Sequence, residues 1–241
     1  DQGVFRYLLN CESESKYKET ISSAFFVLTV LNMIFLLIYA IGSPYINNRY
    51  KIWVLLILIV TAYSNFFLQI ARGLKKTNEY ALGSFICSSS TIVLNVLCIA
   101  TMKMGAKGML VASFLGNAIC CIYLFFRLGL YKYISYKNIN KALSLEELKY
   151  SIPLVPNQLS LWIMNSSNRL IVTFVLGASA NGILAVTHKF PSIYSTFFGI
   201  FLLAWQETGA VHYFDEDRDA FFSEMLEKVI AIFSTLCMGI I

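Results

Sequence analysis

Arg169 and Lys189 are cations in apolar surroundings. They lie in the stretches Ser151–Gly177 and Asn181–Trp205, which hold no carboxylate to neutralise them. Read as the two arms of a membrane hairpin turning at Ala178–Ala180, these stretches carry both charges to similar depth, since each lies about ten residues from the turn at ~1.5 Å per residue. Charges inside a bilayer are rare and usually face a cavity or a ligand, so the partner expected here is an anion. The alternative for each is to snorkel, with the long stem carrying the charge out to the headgroups. Matched depth and shared polar faces favour inward facing for both.

Around these cations the helices carry polar stripes. Gln158, Trp162, Asn165 and Arg169 recur at helical spacing, as do Lys189, Ser192 and Thr196. Upstream, Asn65, Gln69 and Arg72 form one stripe and Ser84, Ser88, Thr91 and Asn95 another. A helix meeting only lipid is apolar all round, so such a stripe implies protein neighbours or water. Ser, Thr and Asn also join helices together, and for Ser84, Ser88 and Thr91 helix packing and cavity lining both remain open. The large amides of Asn95 and Asn165 need several partners, which favours cavity lining. Trp162 can pack as an ordinary apolar residue.

His188 adjoins Lys189 but stands about 100° round the helix. It reads as a packed neutral imidazole, with a proton-coupling role as the alternative. Pro153 and Pro156 fall in the first turns of their helix, where a missing N–H costs little. Pro191 lies mid-helix and should kink the chain, either as a gating bend or as a static shape that aids packing.

The elements that must hold these residues follow from composition. Hydrophobic residues make up 57% of the 241-residue chain and charged residues 14%, against about 25% charged in soluble domains. Runs long enough to span a bilayer, which needs about 20 apolar residues, occur at 21–42, 52–71, 80–102, 108–130, 153–177, 182–205 and 221–241. These predict an all-α, polytopic membrane bundle with about seven spans. Residues 1–130 hold four of them, 131–149 form a basic linker, and 150–241 hold three.

Thirteen Lys and Arg fall in one set of alternate connections and four in the other. That bias places residue 1 in the cytoplasm. The net charge of +5 suits anionic headgroups and needs no nucleic acid. Asp215, Glu216, Asp217 and Asp219 read as a solvated connection. The chain lacks an initiator Met, shows no signal peptide, and its last apolar run reaches Ile241 without flanking charge. It therefore reads as an internal piece of a longer protein, inactive by itself.

Other chemistries find no support. There is no GxxxxGK[ST] phosphate loop, no HExxH, and no paired Cys/His spacing, so neither metal nor cofactor is expected. The six cysteines show no CxxC pair and read as small buried hydrophobes.

The stretch Ser151–Gly209 resembles the seventh and eighth helices of bacterial polysaccharide flippases. These are the Wzx-like O-antigen and capsule exporters of the MOP (MATE-like) superfamily. The likeness rests on the Pro-x-x-Pro start, the Asn-Arg-Leu-Ile segment, the Gly-Ala-Ser-Ala-Asn-Gly turn and the Ala-Trp-Gln-Glu end. DQGVFRYLL and ARGLKKTNEY also resemble family segments. The resemblance implies helices three to nine of a 12–14-helix transporter with two pseudo-symmetric halves, located in the inner membrane.

It further implies that the protein is not an enzyme and that it translocates a polyprenyl-pyrophosphate-linked oligosaccharide. In that role Arg169 and Lys189 would attract the diphosphate, Gln158, Asn165, Asn95 and Trp162 would meet the glycan, and Pro191 would serve gating. Membrane lipids and polysaccharide polymerase or assembly proteins are the further partners implied. Many relatives carry Asp before the helix-seven Arg, where this chain has Asn168. That departure leaves Arg169 more dependent on an anionic ligand. A MATE-like exporter of cationic drugs would need intramembrane acids, and none is visible in the six spans between residues 21 and 205. A membrane-bound polymerase or acyltransferase would need a catalytic loop, whereas 131–149 is basic and holds no His or Asp.

Overall fold

The computed structural model describes residues 2–9, 11, 13–45, 49–212 and 218–240. Asp215, Glu216 and Asp217 of the expected acidic connection lie outside them. Among the described residues ten α-helices follow in order: α1 Gln2–Leu9, α2 Glu14–Gly42, α3 Lys51–Gly73, α4 Thr77–Val96, α5 Gly105–Leu128, α6 Leu130–Tyr133, α7 Lys141–Ser151, α8 Leu154–Thr187, α9 Lys189–His212 and α10 Arg218–Ile240. No strand occurs among the described residues.

Among the described residues, five segments are long and apolar enough to cross a membrane: Glu14–Gly42, Lys51–Gly73, Thr77–Thr101, Gly105–Leu128 and Lys141–Thr187. In the last, α7 packs four charged residues into its 11, so the apolar part belongs to α8. At about 1.5 Å per residue these helices exceed the ~30 Å hydrocarbon core. The protein is thus an all-helical membrane bundle. Five of the about seven expected spans meet this measure among the described residues. Helices α9 and α10 form with 24 and 23 residues, and α10 carries Glu224, Glu227 and Lys228 in its first half.

The chain divides into two compact units, residues 1–158 and 159–241. In the first, α3, α4 and α5 pack side by side, and small residues set the α5 surface. Gly108, Ala112, Gly116 and Cys120 are buried at successive fourth positions, followed by Leu124 and Leu128. Small residues let backbones approach in lipid, where dispersion and close packing replace the hydrophobic effect between helices. Leu124 sits on Gly83 of α4 and Thr91 sits on Gly116. Thr91 of the upstream stripe therefore packs between helices. A core of Leu8, Ile21, Phe66, Ile70, Leu124 and Leu130 ties α1, α2, α3, α5 and α6 together.

The segment 131–149 is no free tether. Ser22 and Ser23, buried in α2, hold it by its main chain. Ser22 donates to the Tyr133 carbonyl at 2.7 Å and accepts from Ser135 N–H at 3.1 Å. Asn140 N–H donates to Ser23 Oγ at 3.0 Å. The Asn140 side chain then caps α7, accepting from the N–H groups of Ala142 and Leu143, which satisfies donors that a helix start leaves orphaned. From this pinned end α7 runs against α1 and α2.

The second unit is held by aromatic rings between α9 and α10. Phe233 meets Phe198 and Phe201 at 5.3 and 5.7 Å, and Trp205 meets Phe222 at 5.2 Å. Helix α8 has no buried residue; its large apolar side chains face outward, as a bilayer-embedded surface requires.

Candidate functional site

The site is built from the arms of α8 and from the start of α9. Helix α8 turns at Gly177, whose φ of 86° and ψ of 172° fall in a region that only glycine enters readily. The turn expected at Ala178–Ala180 is thus one residue earlier and made by a single glycine. The helix resumes, then breaks at His188, three residues before Pro191. Proline has no N–H to offer the Thr187 carbonyl, so the α-helical ladder is interrupted there. His188 N–H still donates to Leu184 O at 3.0 Å and Ser192 N–H to His188 O at 3.1 Å.

Between these stretches lies an open cavity of about 550 Å³, lined from α8 by Asn165, Ser166, Asn168, Arg169 and Ala185, and beyond the break by His188, Lys189, Pro191, Ser192 and Ser195. Four of the residues expected to bind or gate therefore line it: Arg169, Lys189, Asn165 and Pro191. No acidic side chain lines the cavity. Among the described residues neither Arg169 nor Lys189 is in an ion pair. Both are exposed at its surface, with two fixed positive charges and a histidine facing one space.

The hydroxyls complete a polar wall. Ser192 Oγ donates to Lys189 O at 2.6 Å and Ser195 Oγ to Pro191 O at 3.1 Å. Each hydroxyl proton is used within the helix, so the oxygens present acceptor lone pairs to the cavity. Asn165 and Asn168 supply donors and acceptors on the facing arm. Chemically this space can hold an anion and hydrogen-bond a polyhydroxyl group.

Other expected residues fall elsewhere. Trp162, 67% exposed, lies outside the lining. Gln158 ends the first unit, and Asn95 lies on α4 of that unit, with its Oδ1 buried and unpartnered among the described residues. His188 is a correction: it is exposed and lines the cavity, where a packed imidazole was expected. The 100° separation from Lys189 holds only for a continuous helix, and the break removes it. Pro191 was the signal that could have shown this.

The fold and the cavity define a multi-pass helical membrane protein with a cationic, acid-free pocket. A family model described as "Polysaccharide biosynthesis protein" matches residues 7–205, and the chain belongs to that family. The likeness read from Ser151–Gly209 points the same way. No curated protein and no solved structure matches the chain.

Proposed function

We propose that the protein is an exporter that moves a polyprenyl-pyrophosphate-linked oligosaccharide from the inner to the outer leaflet of the plasma membrane, and that it carries out no covalent chemistry. The observation that carries this reading is the cavity in which Arg169 and Lys189 face one space without a carboxylate. Its volume falls among ordinary ligand pockets of about 300–1,000 Å³. A pyrophosphate is the anion such a pair suits: Arg169 can bind two of its oxygens at once, and Lys189 adds a mobile point charge. Asn165, Asn168, Ser192 and Ser195 can then meet the first sugar's hydroxyls. Bending near the His188–Pro191 break would open and close the space.

The positive-inside bias supports a cytoplasmic residue 1, which lets substrate enter from the leaflet where it is made. Membrane lipids and polysaccharide assembly proteins are the proposed partners. An exporter of cations is disfavoured, because two fixed positive charges repel its cargo. The test is complementation of a flippase-deficient strain by the full-length protein with its matched glycan pathway, followed by Arg169→Ala, Lys189→Ala and the double variant. Each single change is expected to lower surface glycan at least tenfold at equal membrane abundance, since a charged hydrogen bond contributes about 1.5–3 kcal/mol. Unchanged surface glycan in the double variant would refute the anion site.

A further inference from the structure

The first unit buries an acid that the transport reading does not use. Glu147 of α7 is 4% exposed, and both carboxyl oxygens lack a hydrogen-bond partner among the described residues. It lines a cavity of about 100 Å³ with Val4 of α1, Ala24, Val27, Leu28 and Leu31 of α2, Phe66 of α3, and Leu148 and Ser151. The wall is apolar apart from Ser151. A cation needs several oxygens around it, and this lining offers too few. The one species that makes such a group comfortable is a proton, which removes the charge that burial penalises.

The charged and titratable groups nearby do not compensate. On α1, the exposed Arg6 lies over the Tyr150 ring at 4.5 Å, and Tyr7 packs edge-on to the same ring at 6.4 Å. The Tyr7 hydroxyl is pushed up by burial and then by the nearby Glu146 carboxylate. The faces of α2 and α3 on the cavity are wholly apolar. Burial raises the Glu147 carboxyl to about 8.

We propose that Glu147 is a proton-binding latch: the carboxyl carries a proton while α7 is docked on α1, α2 and α3, and gives it to bulk water when the C-terminal half of α7 lifts away. The pivot is the Asn140 end, which Ser23 holds. Docking then depends on pH with a fixed sign. Undocked, Glu147 titrates near 4.3; docked, near about 8. Between these values the docked form holds one more proton, so the docking constant is greatest below the lower value, falls about tenfold per pH unit, and is lost by the upper one. This latch rests on the first unit alone and is independent of what the protein exports.

The experiment is amide hydrogen exchange across residues 144–151 of the full-length protein in lipid nanodiscs, corrected for intrinsic rates, at several pH values between about 5 and 9. Protection in the wild type is expected to fall about tenfold per pH unit up to about 8 and then level off. Glu147→Gln, permanently neutral, should hold its protection throughout. An equal pH trend in both proteins, or none in the wild type, overturns the proposal. Should the glutamine variant fail to dock, the infrared band of a protonated carboxyl, assigned by its displacement in Glu147→Asp, decides. Its disappearance with a midpoint near 8 supports the latch, and a carboxylate ionised throughout refutes it.

Discussion

Leucine at Gly116 tests whether α4 and α5 approach as closely as the structure shows. Even a Cβ there would overlap Thr91 Oγ1 and lie 3.0 and 3.1 Å from the Thr91 Cβ and Cα. Thr91 cannot simply rotate away: its hydroxyl donates to Cys87 O at 2.7 Å, and its Cα is main chain. The helices must therefore separate, at an overpacking cost of about 1–3 kcal/mol, with leucine at the upper end. Replacing glycine in a helix returns about 1 kcal/mol of propensity, leaving a net loss of about 2 kcal/mol. For a chain of this size that lowers Tm by about 4–8 °C.

The control is Gly199→Leu in α9, where a Cβ meets nothing within 4 Å, so only the propensity gain remains. Thermal melts in detergent, followed by fluorescence-detected size exclusion, compare the two. Adding Thr91→Ala to Gly116→Leu should restore part of the loss, because the hydroxyl overlap disappears while the crowding against the residue-91 main chain and Cβ stays. A Gly116→Leu protein melting no lower than Gly199→Leu would refute the packing role of Thr91 and return that hydroxyl to a cavity.

Two further outcomes follow from single interactions. Ser23→Ala should leave the Asn140 N–H without its 3.0 Å acceptor, costing about 0.5–1.5 kcal/mol; faster amide exchange over residues 138–144 reads the loosening, and unchanged exchange would show that the anchor contributes nothing. Pro191→Ala restores an N–H for Thr187 O and favours an unbroken helix by up to about 3 kcal/mol, so spin labels on the exposed Ile183 and Ile200 should move apart; an unchanged distance would assign the break to another cause.

Much of the candidate site was legible because its signals are local. Apolar runs of spanning length, a glycine near the hairpin turn and a proline mid-helix each act within one or two helical turns, so they can be read from residue type and spacing. Arg169, Asn165 and Lys189 were marked by the same means. His188 was missed because face arguments assume an unbroken helix. The roles of the stripe hydroxyls were left open because periodicity shows which face is polar and says nothing of what meets it.

What the chain determined alone is therefore its helices, their breaks, and two cations with no carboxylate in their own apolar stretches. Tertiary structure decided the rest: that Thr91 lies on Gly116, that Ser22 holds Tyr133 across a separation of 111 residues, and that Glu147, one of two adjacent acids on a charged helix, is the one buried. Burial and close approach depend on segments far apart in sequence. Local pattern carries no record of which distant surface a side chain will meet.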